Sequence, residues 1–324
     1  MKRITLGRSE LEVTPIAYGT WQFGGDWGDV DESAAIGAIR QALDLGINFF
    51  DTAQAYGFGV SERILGRALA DELRSRRAEL VIATKGGLSM EGGELHRDAS
   101  PAFVRRGVEE SLENLGIEYI DLFQMHWPDP STPFAETAEA LGALVDEGKI
   151  RHIGVSNFDV AQMAEFSRTR PVETLQPPYH LFRREIEREI LPYCSEHDIG
   201  VLAYGPLAHG LLGGRMNEDT TFPENDWRSS SPLFQGDTFT RNLEIVAQLE
   251  RFAADRDVTV SQLAVAWTLA NPAVHVAIVG ARQSEHLAES VGAAELALSA
   301  EDRERIDRIM EGAVQVAGPS PETV

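Results

Sequence analysis

The chain has 324 residues, 43% of them hydrophobic, and its 51 acidic against 29 basic residues give a formal net charge of −22. That excess opposes nonspecific binding to nucleic acid or anionic membranes, and no run approaches the roughly 20 apolar residues of a membrane helix. The single cysteine, Cys194, excludes an internal disulfide and, with an N-terminus that lacks the apolar stretch of a secretory signal, points to a reducing cytoplasm.

In chain order, short alternating segments around Gly7-Arg8-Ser9 predict a β-hairpin between Arg3 and Thr14. A short strand over 15–20 leads into the loop Trp21-Gln22-Phe23-Gly24-Gly25. Residues 32–45 have helical spacing, with Asp31 as N-cap and Gly46 as the stop. The strand over 47–50 runs into Asp51-Thr52-Ala53-Gln54-Ala55-Tyr56-Gly57. A helix over about 61–73 precedes a strand over 80–84 that ends at Lys85. Ser100 and Pro101 open the next helix, which stops at Gly116. A strand over 119–125 runs into His126-Trp127-Pro128, and Thr132-Pro133 opens a helix closed by Gly148. The junctions at Gly46-Ile47 and Gly116-Ile117 echo one another. The strand over 150–155 ends at Ser156-Asn157, and a shorter helix leads to a strand over 172–175 that ends at Gln176. A helix around 185–197, carrying Cys194 as a packed small hydrophobe, precedes a strand over 199–203 that ends at Tyr204-Gly205. A long polar segment, about 208–238, is too long for a plain connection. Helices near 239–255 and 260–270, a strand over 274–279 ending at Gly280-Ala281-Arg282, and two further helices complete residues 1–312. Residues 313–324 read as a disordered tail.

Apolar strands alternating with helices predict parallel pairing and right-handed crossovers. Counting the strand over 15–20 as the first gives eight βα units, which fit one (β/α)8 TIM barrel over 1–312 with an N-terminal hairpin and a long loop after the seventh strand. A doubly wound sheet is the alternative, but no strand–turn–helix carries G-x-G-x-x-G. Gly205-Pro206-Leu207-Ala208-His209-Gly210 begins with the spacing of a P-loop and then has Leu211 in place of Lys.

A barrel gathers its C-terminal strand ends on one rim. By itself Asp51 also serves as a strand terminator, Tyr56 as a packed loop aromatic, Lys85 as a solvated lysine and His126 as a core histidine. Together they put an acid, a phenol, an ammonium and an imidazole on three consecutive strands. A free tyrosine titrates near pKa ~10, too high for an efficient general acid at neutral pH. A neighbouring ammonium stabilises the phenolate, a carboxylate holds the ammonium, and a histidine can steer a carbonyl oxygen. The histidines lack clustered ligand spacing, so no metal site is expected.

Phe50–Gly57, Ala83-Thr84-Lys85, Gln124-Met125-His126, Gly148–Phe158, Leu175–His180 and Ala203–Leu207 resemble the signatures of the aldo-keto reductases almost from end to end. The likeness is closer to the branch of bacterial general stress proteins and potassium-channel β subunits than to the aldose reductases. It implies a (β/α)8 barrel and an NADPH-dependent carbonyl reductase, with NADH as the other possible cofactor. Tyr56 would then be the general acid, Lys85 and Asp51 would tune it, and His126 would orient the carbonyl. Ser156, Asn157 and Gln176 would hold the nicotinamide carboxamide, and Tyr204 would stack on its ring. Gly205 and Leu207 would line the pyrophosphate. Trp21 and Gly280 join this cofactor set, and Arg282 would bind the 2′-phosphate. His286, Ser290 and His180 depart from the Gln, Asn and Asn common in relatives.

The long segment is expected to fold over the cofactor, with Arg215 and Arg228 offsetting the acidic field. Trp21, Phe23, Trp27, Phe58, Trp127, Trp227 and Phe234 are candidates for an aromatic pocket around a small-molecule aldehyde or ketone. The resemblance leaves open a second reading, a nicotinamide-binding sensor or regulatory subunit, and the residues leave open a plain binding barrel. Oligomeric state is not legible in the sequence.

Overall fold

The computed structural model describes residues 1–315 apart from 26, 28, 29, 93, 282 and 283 and the side chains of 284–286. Strands β1 (Ile4–Thr5) and β2 (Glu12–Val13) form the expected antiparallel hairpin. Eight parallel strands then close a barrel. They are β3 (Ile16–Gly19), β4 (Phe49–Asp51), β5 (Val81–Gly86), β8 (Ile120–Met125), β9 (Ile150–Ser156), β10 (Thr174–Gln176), β11 (Gly200–Tyr204) and β12 (Val276–Val279). Between β5 and β8 the chain forms a hairpin that the sequence pattern does not predict, β6 (Leu88–Glu91) paired antiparallel with β7 (Glu94–Arg97). Its glycines and mixed polar residues resemble an ordinary loop.

The helices are α1 (Glu32–Asp44), α2 (Val60–Ala68), α3 (Ala70–Ser75), α4 (Pro101–Leu115), α5 (Phe134–Asp146), α6 (Val160–Phe166), α7 (Ile190–Glu196), α8 (Gly236–Ala254), α9 (Val260–Leu269), α10 (Ser284–Ala293) and α11 (Ala300–Met310). Asp31 caps α1 by accepting from the Ala34 N–H at 3.1 Å. Gly46 and Gly116 stop α1 and α4 at φ 84° and 65°, values open to glycine at little strain. Ser100 occupies the N-cap of α4 as expected, with its side chain making no capping bond. Two expectations need correction. The helix expected over 61–73 breaks at Leu69, and nothing in the sequence explains that break. The helix expected over 185–197 is a short 3-10 turn followed by α7. Pro192 has no N–H to give a preceding turn, so a helix containing it must begin just before it.

Two apolar shells form the core. One, inside the barrel, includes Ala17, Phe49, Val81, Ala83, Leu122, Leu202 and Val276, with Leu6 and Val13 from the hairpin region. The other lies between the strands and their helices. Gly7, at φ 52°, sits so close to the Gly200 backbone that no side chain fits, and the Arg8 N–H donates to the Asp198 carbonyl at 2.8 Å. The hairpin therefore plugs the N-terminal mouth of the barrel, which leaves the C-terminal mouth for a site. Side chains alternate along a strand. Asp51 is thus in phase with Phe49, Lys85 with Val81 and Ala83, and Gln124 with Leu122. A polar layer is stacked on an apolar one. Among the described residues, no helix is long and apolar enough to cross a membrane.

Gly66 marks where α2 meets α4. A Cβ there would lie 2.5 Å from the Leu115 carbonyl oxygen. Gly66→Ala is expected to lose stability despite a helix-propensity gain of about 1 kcal/mol, because overpacking against backbone costs about 1–3 kcal/mol. A urea midpoint that falls with an unchanged m-value confirms this, and a midpoint that rises refutes it.

Candidate active site

The turn after β4 carries Tyr56, and its shape is fixed from two sides. Ser61 Oγ lies 2.7 Å from Thr20 Oγ1, 3.0 Å from the Thr20 carbonyl and 3.1 Å from Thr52 Oγ1, tying the start of α2 to the end of β3. Gly24 packs on the Tyr56 backbone, where an added Cβ would come within 2.9 Å. Gly57 and Gly59 have positive φ, 66° and 89°, which lets the chain reverse into α2. The phenol is left buried on the wall of a cleft of about 490 Å³ at the C-terminal mouth.

Beneath it lies a charge pair shut off from solvent. Lys85 Nζ donates to Asp51 Oδ1 at 2.6 Å, to the Thr52 carbonyl at 2.9 Å and to Tyr56 OH at 3.2 Å. All three ammonium protons are used, so the side chain is locked. The second carboxylate oxygen of Asp51 accepts from Gln176 Nε2 at 2.9 Å and from Gln124 Nε2 at 3.4 Å. Lys85 is 1% exposed and Asp51 2%, so this pair persists only because each partner is fully hydrogen-bonded. His126 packs edge-on to Tyr56, ring centres 5.8 Å apart.

The residues expected to hold a nicotinamide carboxamide are brought together, and they are bonded to one another. Ser156 Oγ donates to the Gln176 carbonyl at 2.8 Å. Asn157, in the left-handed region at φ 62°, donates Nδ2 to the His126 carbonyl at 3.0 Å and to Ser156 Oγ at 3.1 Å. Its Oδ1 accepts from Tyr204 OH at 3.0 Å. Ser156, Gln176, Tyr204, Gly205 and Leu207 line the cleft, as do Trp21 and Gly280. Gln124, present in the Gln124-Met125-His126 signature, and Gln22 carry no site role legible in the sequence. Gln22 fills the space where a Cβ on Gly280 would stand, its Oε1 2.6 Å from that position, and donates Nε2 to the Gly19 carbonyl at 3.0 Å. Buried glutamines carry no motif of their own. Arg282 and the side chain of His286 lie outside the described residues, and so does the expected 2′-phosphate contact. Ser290 is buried and lines the cleft.

The aromatic candidates divide. Trp21 lies near Tyr56 on one side, 6.3 Å between ring centres, and near Trp227 and Trp27 at 6.0 Å and 4.9 Å. Phe58 instead faces solvent at 44% exposure, and Phe23, Trp127 and Phe234 are buried outside the cleft lining. The long loop after β11 does reach across the mouth, joining the first loop through a bridge between Trp27 and Asp226. Arg228 lies over the Trp27 ring at 4.7 Å and clasps Asp226 through Nε–Oδ1 at 3.0 Å and Nη2–Oδ2 at 2.6 Å. Its charge is thereby largely matched within the loop, while Arg215 lines the cleft from an exposed position.

Two histidines are held neutral. His180 is buried, and its Nδ1 accepts from the Phe182 N–H at 3.2 Å. Burial, with His209 and Arg183 nearby, pushes its pKa well below the ordinary imidazole value. Burial together with Arg183 and Arg228 lowers His209 to about 3. Cys194 is fully buried and its thiol is pushed up to about 12, as expected of a packed, inert group. Among the described residues, no group of three or more His, Cys, Asp or Glu could hold a metal ion.

Residues 15–311 match the Aldo/keto reductase family. Aldo-keto reductase YhdN of Bacillus subtilis (strain 168) is 43% identical, over 97% of this chain and 95% of its own. The NADH-specific methylglyoxal reductase of Escherichia coli (strain K12) is 34% identical, over 93% and 96%. Among solved structures, the glycerol dehydrogenase AKR11B4 from Gluconobacter oxydans superposes with a TM-score of 0.89 at 41% identity, covering 98% of each chain. An aldo-keto reductase from Klebsiella pneumoniae in complex with NADPH gives 0.75 at 30% identity, over 100% of this chain and 99% of that one.

Lys85→Met is expected to destabilise the fold by about 3–5 kcal/mol, because Asp51 is left buried and uncompensated. Adding Asp51→Asn should recover most of that loss, and additive losses in a denaturation cycle would contradict the coupling. His180 gives a pH test. Its folded pKa lies below its unfolded value of about 6.5, so the unfolded chain takes up the proton first and stability falls as pH drops below about 6.5. His180→Asn keeps an acceptor for the Phe182 N–H and cannot titrate. Its melting temperature should decline less steeply than that of the wild type between pH 7 and 4.5, and parallel curves would count against this.

Proposed function

The chain belongs to the aldo/keto reductase family of oxidoreductases, and from that premise we propose that it reduces aldehydes or ketones to alcohols, with NADPH or NADH as hydride donor and Tyr56 as proton donor. The observation that carries this reading is the threefold bonding of Lys85, whose third proton reaches the Tyr56 oxygen on the cleft wall. That donation occupies a lone pair of the phenol and orients its own proton away from the lysine. An ammonium fixed beside the oxygen also favours the phenolate over the phenol, which makes proton transfer easier.

The cleft fits a nicotinamide dinucleotide. At one end Tyr204 has its hydroxyl tied to Asn157, which fixes the ring for a flat partner to stack on. Ser156 and Gln176 offer polar atoms beside it. Further along, Gly205, Gly210 and Gly213 bring bare backbone to the cleft, and Arg215 offers a cation for the pyrophosphate. When bound, the cofactor supplies a hydride to the carbonyl carbon. Tyr56 gives its proton to the carbonyl oxygen, and Lys85 stabilises the phenolate until water reprotonates it. Asp51, held by Gln176 and Gln124, keeps the Lys85 side chain in place. His126, edge-on to Tyr56, positions the carbonyl oxygen. The relatives bear on the cofactor in both directions, since one is described as NADH-specific and another was solved with NADPH.

Oxidation of NADPH and of NADH over a panel of aldehydes and ketones tests the reading. Turnover with at least one carbonyl compound is expected. Tyr56→Phe should lower kcat by about 10²–10⁴ while quenching of NADPH fluorescence on binding persists. Wild-type turnover in the Tyr56→Phe variant would rule Tyr56 out as the donor.

A further inference from the structure

His209 is the polar member of an otherwise aromatic wall. Its ring lies 6.0 Å from Trp21, 6.3 Å from Trp27 and 4.9 Å from Trp227, centre to centre. Trp21 in turn faces Tyr56. His209 lines the same cleft as Tyr56 and His126, and no described residue hydrogen-bonds its ring nitrogens. Its own carbonyl is held by Arg228 Nη1 at 3.3 Å. Its backbone is left-handed, φ 56° and ψ 31°, a conformation that disfavours most side chains. His180 forms a contrast, because its Nδ1 already has a backbone partner and it is absent from the cleft lining.

We propose that His209 is a specificity-determining residue that hydrogen-bonds a hydroxyl group of the carbonyl substrate, so that short hydroxyaldehydes and hydroxyketones are preferred over their deoxy counterparts. This rests on the carbonyl-reduction reading of the cleft. The carbonyl is engaged at Tyr56 and His126, and the rest of a short substrate extends along Trp21 toward the imidazole. The partner is a neutral group. Arg228 is clasped by Asp226, and Arg183 Nε donates to Glu185 at 2.7 Å, so the arginines flanking His209 are each engaged by a carboxylate. The imidazole itself stays uncharged at neutral pH, since burial and those two arginines oppose its protonation. A neutral imidazole both donates and accepts, which matches a hydroxyl group and gives an anion little. The tryptophans would accept a deoxy chain equally well, so discrimination falls to the imidazole, left unpaired when the hydroxyl is missing.

The test compares kcat/KM for glyceraldehyde and propanal, each corrected for free aldehyde, in the wild type, His209→Leu and His209→Asn. Asn tolerates the left-handed backbone and retains a polar tip. The wild type should prefer glyceraldehyde by about tenfold or more. His209→Leu should erase that preference while still oxidising NADPH with propanal, and His209→Asn should keep part of it. NADPH fluorescence titration reports that each variant binds cofactor. A Leu variant with the wild-type ratio overturns the proposal. So does a wild type with no preference, a result that needs no variant to fold. Turnover with an unchanged ratio removes this inference alone, whereas no wild-type turnover with any carbonyl removes the reductase reading as well.

Discussion

The arrangement at the barrel mouth depends on one buried ammonium. Lys85 is 1% exposed, and a charge that far from water is tolerated only when each of its protons has an acceptor. Asp51, the Thr52 carbonyl and Tyr56 supply the three. That requirement propagates outward. Asp51 must in turn be satisfied, which draws in Gln176 and Gln124 from β10 and β8. Thr52 and Tyr56 must stay within reach, which makes the turn after β4 a fixed object pinned to the end of β3 by Ser61 and Gly24. Strands β3, β4, β5, β8 and β10 are thus committed by the needs of one side chain and its partners. The proposed proton donor is held in place by the protein's own bonds, the condition under which electrostatic help costs no reorganisation during reaction.

The barrel beneath makes that commitment tolerable in free energy. Phe49, Val81, Ala83 and Leu122 fill the interior below the polar layer, and the N-terminal hairpin closes the opposite mouth. Water therefore reaches the charged layer from one side. The low local dielectric strengthens the Lys85–Asp51 attraction and equally raises the penalty for breaking it. Elsewhere the charges are arranged differently. Arg105 and Lys149 meet Glu147 and Glu109 at exposed positions, where such pairs contribute little.

The strand–helix alternation made the barrel legible, because each apolar run was short, each was bounded by a stop such as Gly46 or Gly116, and eight of them fit one closed sheet. Lys85 and Asp51 were legible as site candidates because a charge in phase with an interior strand is out of place unless it has work to do. The second tier was not. Gln22, Gln124 and Ser61 are uncharged, carry no reactive chemistry of their own, and acquire their role from neighbours as far off in the chain as Gly280 is from Gln22. The hairpin over 88–97 was hidden for a similar reason, since a short exposed ribbon carries no apolar alternation strong enough to separate it from a loop. Helical spacing runs through 185–197, but the missing N–H of Pro192 confines the α-helix to Ile190–Glu196.

The long loop after β11 suggests how an acidic chain could still present the proposed site to an anion. The molecule carries a net charge of −22, so a dinucleotide approaches against the field at long range. Close to the surface that field is screened within about 8–10 Å at physiological salt, and local groups take over. Here two arginines of the same loop behave oppositely. Arg228 gives its charge to Asp226 and its flat face to Trp27 and Phe222, which holds the loop against the first one across the mouth. Arg215, at the exposed glycine-rich turn, is not engaged in this way and lines the cleft. One arginine closes the loop and the other stays at the cleft, where the proposed cofactor phosphate would meet it, and the closing one also holds the His209 carbonyl beside the aromatic wall. The enclosure of the cleft and the placement of His209 are therefore set by the same residue, so the proposed recognition of cofactor and of substrate would both depend on a single loop conformation.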